Sequence, residues 1–228
     1  ARLNDINATN VKMVSTHCGL SVGEDGPTHQ TVDDMGSFLG LFNTHVLEPS
    51  DANQTDHIIR FIASHYGNFY VRMGRHKFEV ILKEDGTPFY DEKYKFEYGK
   101  ADIIREGDLV TVVATGSTVN IAVNVADELK EKGISVEVIG MSSIKQIDTD
   151  VLVASLGKTG KLITIEDHNP QNGWASQINS VVAQEGLSVV INNLAVREYQ
   201  LSGKPLELYD EAGIGPDDLK KSIQAIVS

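Results

Sequence analysis

His17-Cys18-Gly19-Leu20-Ser21-Val22-Gly23-Glu24-Asp25-Gly26-Pro27-Thr28-His29-Gln30 is the stretch whose reading decides the fold. The residues before it, 11–16, run Val-Lys-Met-Val-Ser-Thr and read as a short buried strand. The residues after it, 31–42, place Val32, Met35, Leu39 and Phe42 at helical spacing. The stretch is therefore a strand-to-helix connection, the position at which open α/β sheets seat their ligands. Gly23, Gly26 and Pro27 make it a tight, stiff turn, glycine permitting unusual backbone angles and proline fixing one. Read by composition alone, glycine, proline and acidic residues are also ordinary loop chemistry, and a loop histidine is commonly just solvated. The length of the whole string separates the two readings.

Outward from this turn, the pattern alternates strand and helix. Residues 45–48 read as a second strand closed by Pro49. Ser50 or Asp51 caps the next helix, whose apolar stripe is Ile58, Ile59, Ile62 and Tyr66 and whose end is marked by Gly67. Residues 69–73 form a third strand. Strand-helix-strand-helix-strand predicts right-handed parallel units with helices over the sheet. Residues 1–10 hold only a short possible helix and no initiator methionine, so the sequence reads as entered in mid-domain, with a first sheet that has an open edge.

Residues 83–99 turn polar and aromatic, with Tyr90, Tyr94, Phe96 and Tyr98 and no sustained period; they read as an ordered linker. A second domain, 100–228, follows. Strands are expected at 109–114, 134–139, 161–165 and 188–191, and helices at about 117–132 with Ser117 as N-cap, 150–156 and 174–184. A last helix opens at Pro216, with Asp217 and Asp218 at the positive end of its dipole. The fold class is thus α/β: two α/β domains with mainly parallel sheets flanked by helices, residues 1–82 being an N-terminally incomplete first domain.

At 228 residues with a net charge of −12, the chain has ample core and no basic face for nucleic acid. No run approaches the roughly 18 apolar residues of a membrane span. Cys18 is the only cysteine, so no intrachain disulfide is available; a cytoplasmic location is expected.

The string Gly-Glu-Asp-Gly-Pro-Thr-His-Gln, with His17 upstream, resembles the signature of the transketolase pyrimidine-binding domain. Residues 114–118, Ala-Thr-Gly-Ser-Thr, the run Thr-Ile-Glu-Asp-His ending at His168, and Leu-Ser-Gly-Lys-Pro-Leu-Glu-Leu-Tyr ending at Tyr209 resemble the transketolase C-terminal domain. The resemblance implies ketol transfer between sugar phosphates on thiamine diphosphate with Mg, within the pentose phosphate pathway. It implies that His17 lies along the substrate channel, that Asp25 recognises a sugar hydroxyl, and that His29 sits beside the aminopyrimidine and the donor's terminal hydroxyl, suited to proton transfer. For the sugar phosphate it implies an arginine after the third strand: Arg75, or Arg72 if the gap is drawn differently.

The sequence departs from the family at Cys18-Gly19, where many transketolases have Asp-Ser and split forms have this variant. The glutamate that activates the pyrimidine and the diphosphate-binding domain with its metal site have no counterpart in these residues. The resemblance therefore implies a chain inactive alone, completed by a diphosphate-binding subunit or domain in a homo-oligomer or heterotetramer, either as the C-terminal subunit of a split enzyme or as a piece of a single-chain one. Deoxyxylulose-phosphate synthase shares a similar Gly-x-Asp-Gly-x-Thr-His stretch, but Gln30 favours transketolase. The β-subunit of a 2-oxo-acid dehydrogenase is a more distant alternative, and a non-catalytic assembly module is the alternative outside enzymes.

Four other groupings invite chemistry. Cys18 beside His17 is adjacency in an extended segment, not pairing. His17, His29, His57 and His65 lack metal-ligand spacing. Residues 115–118 read as a helix cap and Glu166-Asp167-His168 as structural.

Overall fold

The computed structural model describes residues 1–228. After a short helix α1 (Arg2–Ile6), strands β1 (Lys12–Ser15), β2 (Thr44–Leu47) and β3 (Asn68–Arg72) form a wholly parallel sheet in the order β1-β3-β2. Helices α2 (Asp34–Leu39) and α3 (Ala52–Ser64) make the crossovers. Asp51 is the α3 cap, accepting the Gln54 amide at 2.8 Å, and Ile58 and Ile62 pack on Leu47, Phe69 and Val71.

Both helices are shorter than the spacing predicts. α2 begins only at Asp34 because the carbonyl of Val32 is taken by Asn169 of the second domain, from its amide (2.9 Å) and its side chain (2.6 Å). It stops at Leu39, and Asp5 then accepts the amides of Phe42 (2.9 Å) and Asn43 (2.8 Å), which turns the chain and leaves Phe42 92% exposed rather than on the buried face. α3 ends at Ser64 with His65 extended, so Tyr66 lies exposed beyond the stripe and Gly67 is not the cap.

Residues 83–99 contain no helix or strand. Tyr90 is buried, the Tyr94 hydroxyl donates to Asp102 (2.9 Å), and Tyr98 meets the His45 ring edge-on at 4.6 Å. The aromatics fasten the crossing to the surfaces beneath it.

The second sheet runs β4-β6-β5-β7-β8, with β4 (Asp102–Arg105), β5 (Val110–Ala114), β6 (Val136–Gly140), β7 (Lys161–Glu166) and β8 (Val190–Ala195). Only β4, an edge strand absent from the sequence reading, is antiparallel. Helices α4 (Thr118–Lys130), α5 (Thr149–Thr159), α6 (Trp174–Gln184), α7 (Pro205–Glu211) and α8 (Pro216–Val227) cover it. Ser117 does not cap α4 with its side chain; its Oγ instead accepts the Tyr209 hydroxyl at 3.0 Å.

The two sheets meet along β2. Glu48 N donates to Ser142 O (2.9 Å) and Ile144 N to Val46 O (3.0 Å). Met35, Val46 and Tyr70 of the first domain share one apolar cluster with Val113, Ile139, Trp174 and Ile178 of the second. The opposite edge, β1, pairs only with β3.

Candidate active site

β1 and β3 are adjacent and parallel, so their carboxyl ends lie on one edge of the sheet. The segment carrying His17 leaves the first and the loop carrying Arg75 leaves the second. The loop of residues 17–31 is closed at its base by a Cys18–Thr31 bridge and by Gly19 N donating to Thr31 O at 2.9 Å. Between these ends residues Gly19–Asp25 form tight helical turns, broken at Gly23 (φ 71°, ψ −118°). His17 itself has φ +67°, the left-handed region, which costs a non-glycine residue about 1–3 kcal/mol and is held only where surroundings impose it.

All four sequence-predicted residues, His17, Asp25, His29 and Arg75, are on the exposed face. Arg75 Nη1 donates to Val22 O (2.7 Å) and lies 3.4 Å from Asp25 Oδ2, so the structure brings these two together. The pair is water-screened and worth at most about 1 kcal/mol, so both groups remain free to exchange partners. The imidazoles are separate: His17 Nδ1 is 2.7 Å from Thr16 Oγ1 and His29 Nδ1 is 2.9 Å from Thr28 Oγ1, and neither ring bonds to Asp25 or Arg75. Clefts of about 700, 590 and 480 Å³ are lined by other residues.

Arg72 is elsewhere. It is buried, bonded through Nε to Asp34 (2.9 Å), through Nη1 to Glu48, and through Nη2 to the carbonyls of Thr31 (3.0 Å) and Asp167 (2.7 Å). Its fork is fully consumed inside the protein, which leaves Arg75 as the exposed arginine at this edge. Cys18 is also buried, and burial pushes its thiol up to a pKa of about 11, so it is not a thiolate nucleophile at neutral pH.

Glu166-Asp167-His168, at the end of β7, joins the domains. Glu166 accepts the amides of Trp174 (2.7 Å) and Ala175 (3.3 Å) at the start of α6. Asp167 accepts the Leu20 amide with both oxygens, at 2.9 and 3.0 Å. His168 Nε2 accepts the Met35 amide (3.2 Å) while Nδ1 lies 2.9 Å from the Asn169 carbonyl, an arrangement that requires the neutral ring.

Burial, with the Arg72 charge second, brings the His168 pKa down to about 4. An unfolded imidazole titrates near 6.5, so between these values the unfolded state holds more protons and stability falls as pH falls. The stability margin of the native protein over His168→Gln is expected to shrink by about 2 kcal/mol between pH 7 and pH 5 in urea unfolding. A margin independent of pH would contradict a neutral buried His168.

This geometry can be set beside known proteins. Residues 1–79 match the transketolase pyrimidine-binding domain and residues 99–219 the transketolase C-terminal domain. The chain belongs to the transketolase family. Transketolase-like protein 1 of Bos taurus is 33% identical over 229 residues, covering 99% of this chain and 37% of that protein. A Methanocaldococcus jannaschii protein named as a transketolase C-terminal section is 35% identical over 215 residues, covering 94% of this chain and 65% of its own. A solved split-gene transketolase, in an inactive beta4 tetramer, overlays with a TM-score of 0.81 at 28% identity, over 95% of this chain and 66% of that one. The transketolase homology thus extends along nearly the whole chain, which spans only a third to two thirds of these relatives.

The family implies thiamine diphosphate, and the residues present suit one end of it. Two exposed imidazoles and a carboxylate at a sheet's carboxyl edge are hydrogen-bond donors and acceptors of the kind an aminopyrimidine pairs with. No three His, Cys, Asp or Glu side chains converge as ligands for a metal ion. The sequence reading missed the second domain's grip on this loop: Asp167, Leu201, Ser202 and Tyr209 are remote in the chain, and the local mark of the close approach is the glycines at 19, 23 and 26, each facing a second-domain residue.

Proposed function

We propose that this chain is the C-terminal part of a transketolase, which transfers a two-carbon ketol unit between sugar phosphates with thiamine diphosphate and Mg held mainly by a diphosphate-binding subunit or domain. The supporting observation is that His17, Asp25 and His29, on the loop after β1, and Arg75, on the loop after β3, are all exposed at the carboxyl edge of these two strands, while residues 18–23 of the first loop are buried. Such a face is half of a site, and the reading assigns the other half to a partner; alone, the chain is inactive. The assembly is a homo-oligomer or a heterotetramer, in the cytoplasm.

When bound, thiamine diphosphate supplies the electron sink that stabilises the transferred carbanion. The chain's residues handle orientation and protons. His29 would lie beside the aminopyrimidine and exchange a proton with the donor's terminal hydroxyl, an imidazole being suited to both directions near neutral pH. Asp25 accepts from a sugar hydroxyl; an epimer that fails to donate leaves the carboxylate unpaired in the closed site and is rejected. Arg75 takes the sugar phosphate through its fork, exchanging its solvent-screened bond to Asp25 for a stronger one. His17, in its strained backbone, lies along the substrate channel near the reacting carbons.

In the two-component enzyme, His29→Ala is expected to lower kcat by about 10²–10⁴. Arg75→Ala is expected to raise KM for phosphorylated acceptors while leaving turnover of unphosphorylated sugars unchanged. Equal loss for both acceptor types would remove Arg75 from the phosphate role, and an unaffected His29→Ala would remove His29 from proton transfer.

A further inference from the structure

The loop that carries the proposed catalytic face belongs to the first domain, which holds it through Cys18 N to Met73 O (3.0 Å), Arg75 N to Ser21 Oγ (3.0 Å) and Arg75 Nη1 to Val22 O (2.7 Å), and the second domain grips it as well. Leu20 N donates to both Asp167 oxygens, and the Tyr209 hydroxyl lies 3.1 Å from Asp167 Oδ2 and 3.0 Å from Ser117 Oγ, so one carboxylate ties the loop to α7 and to the start of α4. The fit is close: a Cβ on Gly19 would lie 2.1 Å from Asp167 Oδ2, and the φ of +67° at that residue is itself a glycine conformation. Further along, the Ser202 hydroxyl donates to Glu24 O (2.5 Å) and Gln30 Nε2 to Leu201 O (3.0 Å). A Cβ at Gly23 would meet Pro205 at 3.1 Å. The far end is held by Arg72, whose Nη2 bonds the carbonyls of both Thr31 and Asp167. Direct bonds to second-domain atoms thus fall at Leu20, Glu24 and Gln30, and Arg72 of β3 links Thr31 to Asp167, while Asp25 and His29 sit between bonded points.

We infer that Asp167 and Tyr209 are positioning residues: they fix the 17–31 loop on the second domain so that Asp25 and His29 are presented in one geometry to the reacting sugar. This rests on the functional reading above. It gives the C-terminal domain a part in turnover, through placement, without contact with substrate. A displacement of about 1 Å in a group that must meet a reacting atom lowers rate by about 10²-fold, which is why an anchor with no chemistry of its own affects turnover.

The test pairs amide hydrogen exchange on the chain with kinetics of the two-component enzyme. Tyr209→Phe keeps the ring and removes the hydroxyl; Asp167→Asn keeps the shape and removes the charge. Thr111→Val is the control: it breaks the buried Thr111–Ser155–Thr159 hydroxyl cluster of the same domain, away from the loop. Tyr209→Phe and Asp167→Asn are expected to speed exchange of residues 19–30 at least tenfold with β5 and β7 unchanged, and to lower kcat about tenfold with the KM for thiamine diphosphate unchanged. Thr111→Val is expected to speed exchange around β5 and α5 while leaving residues 19–30 and kcat as in the native protein. Native-like exchange of residues 19–30 in both anchor variants overturns the proposal, as does an equal loss of kcat in Thr111→Val. A native enzyme silent in ketol transfer would remove the functional reading instead, and the exchange result would still decide whether these residues hold the loop.

Discussion

Arg72→Met is expected to destabilise the protein by about 3–5 kcal/mol, the usual cost of removing one partner from a buried ion pair. Arg72 lies between Asp34 and Glu48 with no water access, and its Nη2 spans two carbonyls from different domains. Removing the guanidinium leaves two buried carboxylates facing each other, with Thr115 Oγ1 (3.1 Å) as the remaining side-chain donor to Glu48 and Tyr70 OH (2.6 Å) as that to Asp34. Burial already pushes the Glu48 pKa upward, opposed by Arg72; without the arginine that carboxyl takes up a proton on folding. The variant should therefore recover stability as pH is lowered toward 5, opposite in sign to the His168 effect. Thermal unfolding at pH 7 and pH 5 measures this, and a loss under 1 kcal/mol at both would mean that the cluster is hydrated.

Gly19→Ala is the second large effect. A methyl at this position meets the Asp167 carboxylate at 2.1 Å, and the backbone lies at φ +67°. The left-handed conformation alone costs an alanine roughly 1–2 kcal/mol. Gly86, at φ +80° with nothing within 4 Å of its added Cβ, isolates that backbone cost. Gly86→Ala is expected to lose about 1 kcal/mol and Gly19→Ala about 3 kcal/mol or more, the difference being the displaced carboxylate. Equal losses in urea unfolding would show that Asp167 moves aside without cost, and would weaken the case for a rigid anchor.

The sequence made the alternation of parallel strands and helices legible because buried strands such as residues 110–114 and 162–165 are short runs made mostly of β-branched residues, and helix α6 has its period and its ends intact. Elements that rely on distant partners were not legible. β4 reads as polar because Asp102 and Arg105 are satisfied by Tyr94 and Asp127, and β8 reads as ending early because Asn192 and Asn193 are turn residues until Ser222 and Thr164 pair with them. Phe42 kept the helical spacing, yet the helix had already ended: Asp5, 37 residues earlier, claims the Phe42 amide. At the candidate site the motif itself was readable, since His17, Asp25 and His29 lie within one short string. That Arg72 is buried and Arg75 exposed was not, because alternation along a strand does not say which side holds buried carboxylates. The anchoring of the loop by Asp167, 147 residues from Leu20, is a tertiary fact with no local signature beyond Gly19.

The most direct test of the central claim is ketol transfer from xylulose 5-phosphate to ribose 5-phosphate, with thiamine diphosphate and magnesium, by this chain alone and by the chain mixed with a diphosphate-binding transketolase subunit. The account predicts no transfer by the chain alone and transfer in the mixture that is abolished by His29→Ala. Transfer by the chain alone would contradict the half-site reading, and silence in both would place the protein among non-catalytic members of the transketolase family.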